Sequence, residues 1–254
     1  MGRLSDTRAW SVFGLALLAL PFLSEAAVCS PDLHSDIAIE ADNVIIESNN
    51  NRFRIEPAGT LFVNVHRIDL NDEQKASLSA YSKAVRNDLP YIGRTLSQEL
   101  QTSWLALDGV IADELGDTSS LRSELGQYHQ YLQTRVNASL FNAEREAPQL
   151  NHTLLKQTVR EVEASVPQIV ATVSSRGLMD IAVLSEGQTN KMQFMSEKMA
   201  VLQDRLVGEA KLQRDRTKTL QKDLCQRLNA WQQHEEAISH LIPALSGLKT
   251  VTIR

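Results

Sequence analysis

The sequence predicts a mostly α protein, a bundle of long helices with a small antiparallel β-meander at its N-terminal side. Two observations carry that class. From Ser35 to Leu70 apolar and polar residues alternate with a period of two and β-branched residues abound. From Asn71 onward apolar residues recur at spacings of three, four and seven. A third observation, at the start of the chain, places the fold outside the cytoplasm. Arg3 and Arg8 precede an apolar stretch from Trp10 to Leu23, and Ser24 and Ala26 stand at −3 and −1 of a small-residue cleavage site. That order is a secretory signal peptide over residues 1–26. Fourteen apolar residues span about 21 Å as a helix, too short for a bilayer core of roughly 30 Å.

Residues 27–70 are expected to form an N-terminal arm and the meander. The first run holds Ile37, Ile39, Val44 and Ile46, and Asn49-Asn50-Asn51 supplies a turn. Phe53 and Ile55 form the second run, Pro57-Ala58-Gly59 turns again, and Leu61, Val63 and Val65 form the third. Three short strands cannot bury their own apolar face, so helices from the C-terminal half are expected to cover it.

Residues 71–254 read as helical and packed with the meander. Asn71 caps a first helix, with Asp72 and Glu73 favoured in its first turn by the helix dipole. That helix should stop near Asp88, because the residue before Pro90 avoids helical backbone. A second helix runs from Tyr91 to Leu115. Gly116 ends it, and Asp117 or Thr118 caps a third that carries Leu121, Leu125, Tyr128, Leu132, Val136 and Leu140 and fades before Pro148. A fourth spans roughly residues 151–166, Pro167 begins or kinks the next segment, and Gly177 breaks the apolar stretch up to Leu184. After a turn at Gly187–Asn190 the longest helix begins near Lys191. Met192, Met195, Met199, Leu202 and Leu206 form its first seam, and Leu220, Leu224, Leu228, Trp231 and Ile238 its second. The charged stretch KLQRDRTK between the two seams is expected to be wet or to cross a gap between lobes.

Lys and Arg number 26 against 31 Asp and Glu, a net charge of −5. Loss of Arg3, Asp6, Arg8 and Glu25 with the leader leaves it unchanged. Such an acidic surface argues against nucleic acid and anionic lipid, which need concentrated positive charge. No later segment has eighteen uninterrupted apolar residues, so the cleaved chain is expected not to span a membrane. The only cysteines are Cys29 and Cys225. In an oxidising compartment two lone cysteines most simply pair. The alternative is a lipid on Cys29, but Val28 and Ala26 occupy its processing positions the wrong way round.

Residues that would carry chemistry are few. His234 opens HEEAISH, yet the zinc-protease helix motif needs a second histidine four residues on, where Ile238 stands instead, and His240 lies on another face. The thioethers of Met192, Met195 and Met199 share a helix face and suit Cu(I), but the same spacing is an ordinary core seam. No nucleophile elbow and no glycine-rich phosphate loop occurs. Pairs such as Glu235-Glu236 read as solvated helix faces. Asn137-Ala138-Ser139 and Asn151-His152-Thr153 match glycosylation acceptors by chance. No catalytic residue, cofactor or metal is expected.

Several ordered features resemble a known family. They are the N-terminal signal, Cys29 just after it, Ile55-x-Pro57-x-Gly59, Leu70-Asn71, Leu89-Pro90-Tyr91-Ile92 and Asp223-Leu224-Cys225. In these the chain resembles the YggN-like proteins, presumed periplasmic proteins of Gram-negative bacteria with no established activity. The resemblance covers most of the mature chain and is weak from about residue 143 to 191. It implies the location and the fold, and brings no catalytic residues. The expected function is therefore a periplasmic, non-catalytic protein that meets a protein partner in the cell envelope through helical surfaces. The alternative is a periplasmic enzyme whose site is assembled from scattered residues.

Overall fold

A computed structural model describes residues 29, 31–48 and 50–253. The expected leader lies outside the described residues. The chain is mostly helical with an N-terminal antiparallel meander. Among the described residues are four helices, α1 (Asp72–Leu115), α2 (Ser120–Leu140), α3 (His152–Leu184) and α4 (Lys191–Leu241). Nine strands accompany them there: β1 (Pro31–Leu33), β2 (Asp36–Glu40), β3 (Asn43–Ser48), β4 (Asn51–Ile55), β5 (Leu61–Val63), β6 (His66–Ile68), β7 (Phe141–Asn142), β8 (Ala147–Leu150) and β9 (Val251–Ile253). The described residues divide into two compact units, and every helix contributes to both. Glu99–Gln133 and Val159–Lys218 make a helical unit. The chain up to Gln98, Thr134–Thr158 and the chain from Thr219 make a mixed unit.

In the mixed unit the sheet is larger than the period-two pattern suggests. Seven antiparallel strands run in the order β6-β5-β4-β3-β2-β8-β7. The first run, Ile37 to Ile46, is a hairpin and not one strand. Ala41 and Asp42 both have positive φ, as a two-residue type I′ turn requires, and neither is the Asn or Gly that usually signals it. Asn64 likewise turns β5 into β6, so Val65 lies in the loop. Cross-strand registers place Ile37, Ile46, Phe53 and Val63 in one row and Ile39, Val44, Ile55, Leu61 and Ile68 in the next. These rows share one face, because side chains on facing positions point the same way. The opposite face carries Arg54 with its guanidinium 3.8 Å from the Phe62 ring. Strand β8 joins through Ile37↔Leu150, in the region of weakest family resemblance.

The N-terminal part of α1 meets this sheet at the β4–β5 turn, where the Ser79 hydroxyl donates to the Pro57 carbonyl at 2.7 Å. Gly59 sits there at φ +84°, and a Cβ on it would overlap the Lys75 carbonyl. Helix α1 opens with a reciprocal cap. Asn71 Oδ1 accepts from Gln74 N–H and Gln74 Oε1 accepts from Asn71 N–H, both at 2.9 Å. It does not stop at Asp88. Leu78, Tyr81, Val85, Leu89 and Ile92 are buried at spacings of three and four across Pro90. Burial on both sides of the proline offsets its helix penalty of about 3 kcal/mol. Pro167 is passed in the same way inside α3, between buried Val162 and Ile169, and Gly177 is no break.

In the helical unit the cores of α1–α2 and α3–α4 combine Leu107, Ile111, Leu115, Leu121, Leu125, Ile169, Ile181 and Leu202, with Met195, Met199 and Leu206 packed against them. Gly116, at positive φ, ends α1. Helix α2 is capped by Ser119, whose Oγ accepts from Arg122 N–H at 3.1 Å, and not by Asp117 or Thr118. The reason is tertiary. Asp180 on α3 accepts from the Ser119 and Ser120 hydroxyls at 2.7 and 2.8 Å and from the backbone N–H of Ser120 and Leu121 at 3.1 Å.

Candidate functional site

The surface feature that stands out lies at the α3–α4 turn of the helical unit. Gly187 at φ +88° allows the chain to reverse between Ser185 and Asn190. The inward faces of the hairpin are taken by Gly177 and Ile181 on α3 and by Met195, Met199 and Leu202 on α4. Leu178, Met179, Val183, Leu184 and Met192 are left outside, with Met179 59%, Val183 64% and Met192 83% exposed. Met192 therefore does not belong to the core seam, which begins at Met195. Among the described residues, ten of the twelve exposed large apolar side chains fall in the helical unit, and these five flank one turn. Helix sides so close to a packed core usually carry polar residues. Clustered exposed apolar groups mark interaction surfaces.

Beside the α1–α2 turn of the same unit is an open hollow of about 590 Å³. Arg122 forms its charged wall, held by Asp108 at 2.6 and 2.9 Å and by Asp117 at 2.9 Å. Gly126 lies against the Trp104 indole, which stacks on His129 with centroids 5.2 Å apart and planes 11° off parallel. His129 Nε2 lies 3.1 Å from Gln101 Oε1, its Nδ1 has no hydrogen-bond partner among the described residues, and burial pushes its pKa down. Burial thus favours the neutral imidazole, which meets Trp104 face to face.

Charged clamps fix the helices of this unit. Glu114 accepts from Lys198 at 2.7 Å and Arg205 at 2.5 Å, and Arg205 also reaches Asp113 at 2.9 Å. The hydrogen bonds from Lys198 and Arg205 hold the Glu114 carboxyl below the usual carboxylate range. For Asp180, burial alone would raise the pKa. The bonds from Ser119, Ser120 and Leu121 outweigh it and the pKa is lowered.

In the mixed unit Cys29 and Cys225 form a disulfide-capable pair, with Cα atoms 6.2 Å apart across a sequence separation of 196. The Gln221 side chain donates to the Cys29 carbonyl at 3.0 Å. The arm then pairs as β1 with β9 at the other end of the chain, and His34 N–H donates to the Thr250 carbonyl at 2.8 Å. Glu235 anchors that tail. It is buried, not solvated, and accepts from Thr250 N–H at 2.9 Å, from the Thr250 hydroxyl and from Tyr81 Oη–H at 2.8 Å. Burial pushes its carboxyl pKa up, and that of Tyr81 is raised as well, by burial first and then by the Glu235 charge. A sequence signal existed. Glu235 lies four residues after Trp231 and three before Ile238, on the face those two bury.

Among the described residues no three His, Cys, Asp or Glu side chains are grouped to hold a metal ion. His234 of the HEEAISH stretch stacks obliquely near Tyr81, at 6.4 Å. Asn151 uses its Oδ1 to cap α3, and Asn137 accepts from Ser97 at 2.9 Å. No described helix is long and apolar enough to cross a membrane.

The profile of DUF2884, described as a protein of unknown function, matches residues 29–251. The chain belongs to the DUF2884 family. The match runs from Cys29 to Val251, so it takes in both cysteines and most of the chain between the arm and the tail. The chain is 23% identical over 213 residues to the uncharacterized protein YggN of Escherichia coli strain K12, covering 83% of this chain and 88% of the relative. The YggN proteins of Escherichia coli O6:H1 and O157:H7 match to the same extent. No solved structure matches the chain.

Proposed function

We propose that this DUF2884 protein is exported to the periplasm and acts there without catalysis, binding a protein partner of the cell envelope through the apolar end of its α3–α4 hairpin. The observation that carries the reading is the exposure of Leu178, Met179, Val183, Leu184 and Met192 around one turn. These side chains face water beside a packed core, and covering them by a partner's apolar surface would gain about 25 cal/mol per Å² removed from water. Export is supported by the basic, apolar and small-residue order of residues 1–26.

A photo-crosslinking residue at Val183 in intact cells tests the binding. It should capture a defined envelope protein that the same residue at exposed Lys222 does not. Leu178→Asp with Val183→Asp should abolish that capture without changing the melting temperature. Equal capture from both positions, or capture that survives the aspartates, overturns the reading. Sequencing of the mature N-terminus should begin at or within a residue or two of Ala27. An intact Met1 or a lipid on Cys29 overturns export.

A second reading, an enzyme assembled from scattered residues, draws on the hollow beside Trp104, Arg122 and His129. It gains if thermal-shift screening finds a small molecule whose effect is lost on Gly126→Leu, which fills the hollow.

A further inference from the structure

After Met1, every methionine of the chain lies on one hairpin, at positions 179, 192, 195 and 199. They fall into two environments. Met179 and Met192 are 59% and 83% exposed among the apolar side chains of the α3–α4 end. Met195 and Met199 pack against the core cluster formed with Leu107, Ile111, Ile181 and Leu202. Thioether oxidation tracks exposure, so the two pairs differ in reactivity although they share a hairpin.

We propose that Met179 and Met192 form an oxidation switch on the apolar surface, turned off by peroxide-class oxidants and reset by methionine sulfoxide reductases. The chemistry is a two-electron oxygen transfer. The thioether sulfur attacks one peroxide oxygen, an S–O bond forms as the O–O bond breaks, and the second oxygen leaves as water after taking up a proton. Sulfur is oxidised by two electrons, peroxide is reduced, and each methionine becomes its sulfoxide. The product is polar and chiral where the reactant was apolar and flexible. Two of the five exposed apolar side chains that flank the turn would then be better solvated by water than by an apolar partner. Because Met195 and Met199 are partly buried against the core cluster, they react later, and the helical core stays packed at the peroxide exposure that converts Met179 and Met192. The regulatory meaning rests on the proposed binding function, whereas the site-selective chemistry stands apart from it.

The test uses the full mature chain and hydrogen peroxide under native conditions, with peptide mapping of the products. Met179 and Met192 should each gain one oxygen before Met195 and Met199 do. Retention on a hydrophobic-interaction column should fall with that oxidation while the melting temperature holds, and reductase treatment should restore it. The Met179→Leu, Met192→Leu double variant should keep its retention through the same peroxide exposure. Oxidation of all four methionines at one rate overturns the proposal, as does unchanged retention of the oxidised native chain or equal loss in the leucine variant. Crosslinking from Val183 reports on the binding function separately. Absence of capture by the unoxidised chain sinks that reading and leaves the retention experiment to decide the switch.

Discussion

Glu235 carries a buried carboxyl that its charged neighbour Glu236 suggests is solvated, although Trp231 and Ile238 mark its face as a core one. The hydrogen bonds it accepts satisfy the oxygens, but no cation among the described residues pairs with them, and burial dominates by raising the pKa. A carboxylate with a raised folded-state pKa binds its proton more tightly folded than unfolded. Its contribution to stability is therefore full at acid pH and falls as pH rises through the folded-state pKa. Relative to Glu235→Gln, the native chain should gain stability as pH drops from neutral toward the usual carboxylate range. Paired thermal melts across that range check this, and parallel curves for the two proteins refute it. Gly59 offers a second residue-scale prediction. Its positive φ and the Lys75 carbonyl pressed against it leave no room for a methyl group. Gly59→Ala should lower stability by more than about 1 kcal/mol, read by urea titration. The turn at Pro57-Ala58-Gly59 was legible in the sequence, while the helix lying on it was not.

Helix ends show how far local chemistry reaches. The Asn71–Gln74 cap arises from adjacent residues and could be read directly. The start of α2 could not, because half of its cap is supplied by Asp180, about sixty residues later. Asp180→Ala should cost about 0.5–2 kcal/mol by exposing the first N–H groups of α2. Since the Asp180 pKa is lowered, that stabilisation is present above the unfolded carboxylate pKa and fades as pH falls through the folded one. Denaturant titrations of native and variant protein should thus converge at acid pH. The two prolines make the same point in reverse. Pro90 and Pro167 predict breaks locally, and helices run through both because buried stripes continue on either side. The apolar hairpin end was half legible. The seam of Met195, Met199, Leu202 and Leu206 is visible in the spacing, but only the fold reveals that Met192 and the outward side of α3 face water.

At the scale of the molecule, the mixed unit gathers its strands from both ends of the chain and from the stretch between α2 and α3. Cys29 and Cys225 belong to it, and in an oxidising compartment they should be bridged. Non-reducing electrophoresis should show a mobility difference from the reduced monomer, and reduction should remove up to about 5 kcal/mol of stability. Two free thiols in folded, air-oxidised protein would contradict this. Removal of the sheet should unfold the unit rather than detach a module, since Leu78, Tyr81, Val85 and Leu89 of α1 belong to the same buried set. A chain beginning at Asn71 should lack the cooperative melt of the mature protein, and an unchanged melting temperature would show that the sheet is separable.

The pairing of β1 with β9 also sets a timetable. Pro31 to Leu33 emerge from any machine that delivers the chain N-terminus first long before their partners, Val251 to Ile253. The arm has no strand to join until Val251–Ile253 have been delivered, and a loop of such length closes slowly. The arm must wait, unpaired, for its partner strand. A chain that lacks Val251–Ile253 would hold nearly every other described element yet leave Pro31–Leu33 without a partner strand, an unpaired edge open to proteolysis.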